Sequence, residues 1–531
     1  MKKAIILFIT CCLFISNAFS QSSDLDMRYG AEFNPQGTIN AFIGQIGNTI
    51  FVQSYRKGII LGGVDATSLN QVFENEIAMP TYNGKDVDFK SIHVVEDELV
   101  MFCTFYDKKA DKNYLFAHRV SQTGKLQGDL ITLDEMTAEK KNNRGTFAVT
   151  IEDEGKRILL FRNPPFEKYG KEKFAFKLLD KNLKEIWSNE EVELPYADRY
   201  FTLSDFFIDK NDMLYVTASF DDFRATRESE GRRKAKEEAE ERGGSYYSYR
   251  IISYNPKDKK IKDYEIELNN HNRIVSLGYN VDVKGDINIC GLYGDDNSRG
   301  SAVGIFFTKI DHESRKTDRV SMKTFEKEWI KDYLNLFMSD KKADKRTDKG
   351  EGIRNLSIDQ FINREDGGLV VIGEIYNVYT VCYTDSKGYT RCSTHYVYGT
   401  IFVINVDKGG DVDWFATVPK MQHTVNDGGF YSSYAMINSK DEMYFIFNDN
   451  IKNYNPKKKD NRIYNMTGPK KSGTTIAKVS ADGKVTKELN LKLQTEKMLL
   501  RPKVSRHLTK EKMVVLAKYG KKERVMEVKL K

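Results

Sequence analysis

Ile362-Asn363-Arg364-Glu365-Asp366-Gly367-Gly368 runs into Leu369-Val370-Val371-Ile372: an apolar residue, a short polar stretch with an Asp-Gly-Gly turn signal, then four aliphatic residues. The apolar run is too short for a buried helix, and the turn residues favour tight reversal. The segment therefore reads as a strand, a polar hairpin and a second strand buried on both faces. The same grammar recurs seven more times. Its apolar runs are Ile50-Phe51-Val52, Leu99-Val100-Met101-Phe102, Ile158-Leu159-Leu160-Phe161, Met213-Leu214-Tyr215-Val216, Ile287-Asn288-Ile289, Met443-Tyr444-Phe445-Ile446 and Met513-Val514-Val515-Leu516.

A second turn follows within most units: Gln122-Thr123-Gly124-Lys125, Asp180-Lys181-Asn182-Leu183, Asn255-Pro256-Lys257-Asp258, Asp407-Lys408-Gly409-Gly410 and Ala481-Asp482-Gly483-Lys484. Two hairpins per unit make a four-stranded antiparallel meander. The runs start 49 to 82 residues apart, whereas a propeller blade needs roughly 40–50 residues, so the longer intervals carry insertions. Radial arrays of such sheets are β-propellers. The expected fold is all-β, a propeller of about eight four-stranded antiparallel blades, with seven as the next count. No Pro/Gly/Ser-rich linker divides residues 21–531 into two smaller propellers or sandwiches. The last unit supplies three strands, and the β-like residues 27–33 are free to complete it beside residues 525–530, removing two exposed edges.

Composition agrees. At 531 residues the chain exceeds one ordinary core, which a repeat architecture solves by spreading many small cores. Hydrophobic content of 40% with 12% aromatics excludes disorder, and 30% charged residues exclude a polytopic membrane protein. Residues 1–20 read as a secretory signal: Lys2 and Lys3, an apolar run, then Ala18-Phe19-Ser20 before Gln21. Its removal lowers the formal charge from +7 to +5. That mild excess, without a basic block, argues against nucleic-acid binding. Export is expected, most readily to the periplasm because the chain finishes inside its last unit at Lys531, with outer-membrane association or secretion to the medium as alternatives. No transmembrane segment is expected in the mature chain, which should be monomeric on its own.

Three insertions stand out. Residues 221–244 are charge-dense, with Arg232 to Lys236 meeting Glu237 to Glu241 at helical spacing, a solvated helical excursion or a partner-binding arm. In the insertion 321–350, residues 321–340 read as an amphipathic helix carrying Phe325, Trp329, Tyr333, Leu334 and Phe337, followed by a mobile basic loop at 341–349. Residues 376–398 alternate Tyr, Thr and Val around the turn Asp385-Ser386-Lys387-Gly388; antiparallel pairing there places Cys382 opposite Cys392, within reach of a disulfide. Cys103 and Cys290, in apolar strands, read as core thiols.

From 340 to 450 the chain carries further distinctive residues: Asp366 to Glu374, Gly410-Asp411-Val412-Asp413-Trp414, Val418-Pro419-Lys420, Asn426-Asp427-Gly428-Gly429-Phe430-Tyr431 and Phe447-Asn448-Asp449-Asn450, with Leu500-Arg501-Pro502-Lys503-Val504 downstream. This stretch resembles a family of exported, uncharacterised proteins common in Bacteroidetes. The family has no established activity, so the resemblance implies no catalytic residues.

The catalytic signatures are missing. Seven scattered histidines show no helical zinc spacing, and there is no nucleophile elbow, P-loop, dinucleotide fingerprint or full calcium loop. The Asp407 and Asp482 turns read as structural hairpins. No cofactor, metal or catalytic residue is assigned. Position points to loops converging on a propeller axis: Asp221-Asp222, Gly294-Asp295-Asp296-Asn297, Asn448, Asp449, Arg354, Asn355, Asp427, Tyr431, Tyr434 and Arg501. Tyr and Arg suit flat or anionic ligands and protein hot spots. The leading expectation is a non-catalytic propeller binding a protein partner or cell-envelope component. One alternative is a glycan hydrolase or lyase using Asp427 and Glu374 with Arg501; another is a structural subunit of an envelope assembly.

Overall fold

The computed structural model describes residues 24–531, apart from 153–154, 210, 242–246, 269–271, 283, 296–297, 299, 315, 319, 385, 440–441 and 456–461. The expected signal at 1–20 lies outside the described residues, as do Asp296 and Asn297. The fold is all-β. Among the described residues, eight four-stranded antiparallel sheets follow one another along the chain, with a fifth strand, Gln422–Val425, added to the sixth and a small two-stranded hairpin, Thr81–Tyr82 with Lys85–Asp86, between the first and second. Their opening strands are Thr38–Ile46, Asp88–Val95, Thr146–Glu152, Phe201–Ile208, Arg273–Val281, Leu356–Asn363, Tyr434–Asn438 and Leu499–Thr509.

Second strands are the apolar runs noted above, and burial explains their composition. Ile287–Gly294 is buried throughout, and in Glu442–Asn450 every residue after Glu442 is buried. Such strands face a neighbouring sheet on each side, so β-branched and aromatic residues fill both faces. Each of eight hydrophobic clusters joins two sheets. Ile46 and Phe51 pack with Leu99, Met101 and Phe116 of the next sheet, and the pattern continues along the chain. The remaining cluster joins Ile39, Ile50 and Val52 of the first sheet to Val514, Leu516 and Val525 of the last.

The last sheet takes its fourth strand from the other chain end. Leu25–Tyr29 pairs antiparallel with Lys522–Leu530, from Leu25 opposite Leu530 to Tyr29 opposite Met526. The strand starts earlier than residue 27 and ends before Gly30, with one more bridge at Phe33 and Glu523. Arg28 Nε donates to Glu527 Oε1 at 2.8 Å, tying the half-exposed arginine to a buried carboxylate.

Aspartates build the hairpins by capping their own turns. Asp407 Oδ1 accepts from the N–H groups of Gly409 (2.8 Å) and Asp411 (2.9 Å), and Asp180 Oδ1 accepts from Asn182 and Lys184. The helical excursion expected at 221–244 is present, and the insertion 321–350 corrects two expectations. Residues 221–244 hold two helices, Asp222–Glu230 and Arg232–Glu241, broken at Gly231 with φ +93°. In the 321–350 region the helix is shorter, Lys327–Asn335, because Ser321–Thr324 is a strand of the fifth sheet. The basic segment after it is a second helix, Asp340–Thr347, rather than a mobile loop. Ala343 and Thr347 are buried there, and Lys331 pairs with Asp344 at 2.5 Å, so docking overrides its charge density.

Candidate functional site

Asp359 stands where the opening strand of the sixth sheet breaks register. Ile358 faces Gly373 and Gln360 faces Ile372, leaving Asp359 as the extra, unpaired residue of a β-bulge. Glycine permits this close approach: a Cβ on Gly373 would lie 2.5 Å from the Ser357 carbonyl oxygen. Similar slips interrupt the opening strands of the first, second, fourth, fifth and eighth sheets. Bulges redirect side chains from the alternation of a regular strand, and Lys90 and Asp205 occupy such interruptions too.

Beside Asp359 lies a cavity of about 440 Å³ lined by Gln360, Glu374, Tyr376, Tyr398, Ser433 and Tyr434. Tyr434 OH donates to Asp359 Oδ2 at 2.8 Å. Asp359 stays solvent-accessible through the pocket mouth. Surrounding protein nonetheless desolvates it and raises its carboxyl to about 6, with nearby Glu374 pushing the same way and Tyr434 and Lys420 opposing. Glu374 forms the pocket floor. Its Oε1 accepts from Lys420 Nζ in a buried ion pair, and its Oε2 accepts from Ser433 Oγ at 2.8 Å. Gln422 Oε1 also accepts from Lys420 at 3.2 Å. Burial lowers the Lys420 ammonium, while Glu374 works in the opposite direction. Tyr376 and Tyr398 pack with ring centroids 4.9 Å apart, and Lys503 Nζ donates to Tyr398 OH at 2.9 Å. The result is an acidic, tyrosine-walled pocket able to hold a cationic or hydroxyl-rich group.

Of the binding candidates, Tyr434 lines this pocket, and Glu374 joins it from the proposed acid/base set. Asn448, Asp449, Asp427 and Arg501 hold structure instead. Asn448 is fully buried; its Nδ2 donates to the carbonyls of Tyr431 and Leu500, both at 2.8 Å. Asp449 receives Lys487 at 3.0 Å and Asn453 at 2.8 Å. Asp427 Oδ1 accepts from Thr424 Oγ1 and Gly429 N–H, capping its glycine loop. Arg501 is buried under Phe430, 3.8 Å from the ring centroid, with Glu523 3.7 Å away. Arg354 is exposed, near Glu351 at 3.7 Å, and the Asn355 carbonyl accepts from Tyr376 N–H at 2.8 Å. Asp427, Glu374 and Arg501 are thus each engaged separately, by a loop cap, by Lys420 and by Phe430 with Glu523.

Asp359 was not among the sequence candidates. A signal existed: in Leu356-Ser357-Ile358-Asp359-Gln360-Phe361-Ile362 the apolar alternation slips after Ile358, as a bulge requires.

Elsewhere, Asp286, Asp311 and His312 cluster with ligand atoms within 4.8 Å. Lys309 lies 2.6 Å from Asp286 Oδ2, and His312 Nδ1 lies 2.6 Å from its other oxygen, holding its carboxyl down at about 2 despite burial. Protein cations already balance that charge. Cys382 and Cys392 are joined in a disulfide; Cys103 and Cys290 are free and buried, and burial pushes the Cys103 thiol up to about 12.

No family model and no curated protein sequence matches the chain. Solved structures similar to it include Saccharomyces cerevisiae Core Factor, at 8% identity and TM-score 0.33, covering 95% of this chain and 57% of that one, little more than half its length. The Dos1 propeller matches at 9% identity and TM-score 0.30, covering 94% of both chains. The β-propeller domain of the Trilobed protease from Pyrococcus furiosus matches at 8% identity and TM-score 0.33, covering 86% of this chain and 98% of that one.

Proposed function

We propose that the chain is an exported, non-catalytic β-propeller of eight blades, closed by its N-terminal strand, that binds a protein partner in the cell envelope. The observation that carries the binding reading is the arm formed by residues 376–398. Tyr376, Val381, Tyr383 and Tyr389 are 45, 48, 56 and 67% exposed, an unusual concentration of accessible aromatic and branched surface. Such side chains anchor interfaces because they bury large area at low entropic cost. The disulfide across the arm supports an oxidising compartment, and hence the periplasm, the cell surface or the medium.

The test is site-specific photo-crosslinking from Tyr383 of the full chain in intact cells of the source organism, followed by mass spectrometry. A reproducible stoichiometric envelope protein is the expected result. Repeated absence of any crosslinked partner removes the reading.

A second reading has one specific support: Asp359, raised to about 6, shares its pocket with a second carboxyl, Glu374, and a carboxyl pair is the acid/base equipment of glycoside hydrolysis. Release of reducing sugar from envelope polysaccharides, abolished by Asp359→Asn, is its required outcome.

A further inference from the structure

Beyond Ile375 the strand Leu369–Thr384 leaves the body of its sheet. Up to that point one edge is covered by Leu356–Asn363, with Leu356 opposite Ile375. Tyr376 N–H makes one more rung to the Asn355 carbonyl at 2.8 Å. Asn355 itself has φ +58°, and there the chain turns off the edge. Backbone groups of alternate residues point the same way, so Val378, Thr380, Cys382 and Thr384 present theirs along the same side. No strand of the described residues pairs there. The opposite side is fully laddered, from Tyr376 facing Tyr398 to Thr384 facing Thr390.

Natural sheets guard such an edge with charges, prolines or bulges. Tyr376-Asn377-Val378-Tyr379-Thr380-Val381-Cys382-Tyr383-Thr384 has no charged residue and no proline. The arm is also held in shape. The disulfide joins Cys382 to Cys392, and hydroxyl contacts link Thr380 to Thr394 (3.0 Å) and Thr384 to Thr390 (2.9 Å). A rigid, open strand favours an incoming strand, because little ordering entropy remains to be lost.

The foot of this edge is the acidic pocket. Tyr376 belongs to both, and by alternation Val378 shares its face. Lys420 balances Glu374 there, so Asp359 contributes a carboxylate with no basic side chain bonded to it, and Tyr376, Tyr398 and Tyr434 supply aromatic walls. A long cationic side chain satisfies both features.

We propose that Tyr376–Thr384 is a docking edge for an extended segment of a partner protein, which adds as a strand beyond Asn355 and places a Lys or Arg side chain in the pocket beside Asp359. The proposal rests on the protein-binding reading and names its surface and the chemistry of its partner.

The test uses a displayed library of nine-residue peptides selected against the full chain. Expected winners alternate β-branched or aromatic residues and carry Lys or Arg at one recurrent position. Three changes to a synthesised winner or to the protein should each weaken binding at least tenfold: N-methylation of alternate peptide backbone nitrogens, replacement of its basic residue by norleucine, and Asp359→Asn. Val378→Pro, which removes an outward N–H while leaving the inner ladder, should do the same. Failure to enrich peptides, winners without a basic residue, or affinity indifferent to N-methylation overturns the proposal. N-methylation acts on the peptide alone, so misfolding of a protein variant cannot imitate the result. Photo-crosslinking repeated with Val378→Pro separates the two readings: a partner still captured by this variant leaves protein binding standing and refutes the docking edge.

Discussion

Asp359 sits in a bulge beside the tyrosines of its pocket, and its titration has a definite sign. The carboxyl ionises at about 6 in the folded chain and near 4 when unfolded, so the folded state binds the proton more tightly. The stability linked to this group is therefore fully present below pH 4 and is lost as the pH rises towards 6. Asp359→Asn removes the dependence. Its melting temperature relative to wild type should rise across that window by about 1 °C, solvent access keeping the effect small. Differential scanning calorimetry at pH 4 and pH 7 checks this; equal differences at both values would exclude the assigned ionisation. Glu374, Lys420 and Tyr434 act on the same carboxyl and are unchanged in the variant. Lys420 permits a harsher comparison. Its ammonium is fully buried against Glu374, so Lys420→Met leaves a buried carboxylate unpaired and should cost about 3–5 kcal/mol in urea denaturation. The double variant Glu374→Gln/Lys420→Met should recover most of that loss, and a double variant as unstable as the single one would mean packing, not charge, holds this site.

Among the elements, the tyrosine arm differs from the sheets that carry it. The buried clusters draw Val371, Ile375, Phe402 and Ile404 from the inner halves of Leu369–Thr384 and Thr390–Val406, and nothing from their outer halves. Local opening of the arm is therefore uncoupled from global unfolding. The bridge between Cys382 and Cys392 spans a separation of 10 residues. Its removal by Cys382→Ser/Cys392→Ser should speed amide exchange over residues 378–394 and expose the tip to chymotrypsin. The main melting transition should stay within about 1 °C of wild type. A large drop in that transition would show the arm to be part of the cooperative core. The alternating Tyr, Thr and Val residues make this hairpin legible in the sequence alone. The strand Gln422–Val425 that pairs with its base was not legible, because Gln422-His423-Thr424-Val425 has too little alternation to stand apart from a loop.

For the molecule as a whole, the two chain ends are one structural unit. Leu25–Tyr29 contributes five cross-strand pairs to Lys522–Leu530 and brings Arg28 to the buried Glu527. Deletion of residues 21–33 bares that edge and leaves Glu527 with Lys512, 3.8 Å away, in place of Arg28, a loss of about 5 kcal/mol if each backbone bond is worth about 1. The deleted protein should melt lower and aggregate, and a synthetic peptide of residues 21–33 should restore stability in trans. Unchanged melting of the truncated chain would refute the role given to this strand. Beside it, a hydrophobic cluster joins the first and last sheets through Ile50, Val52, Val514 and Leu516.

Hairpin grammar and buried second strands were determined by the sequence itself, because period-2 alternation and turn chemistry are local and leave their mark on adjacent residues. The helix at Asp340–Thr347 has a local preference in its Lys, Ala and Arg residues and in its acidic first and basic last turns, but so short a helix is marginal alone, and the burial of Ala343 and Thr347 fixes it. The pocket was likewise a tertiary matter. Asp359, Glu374, Tyr398 and Tyr434 come from four strands of two sheets, and their convergence depends on a one-residue register slip and on how neighbouring sheets pack, neither of which any single stretch of chain encodes alone.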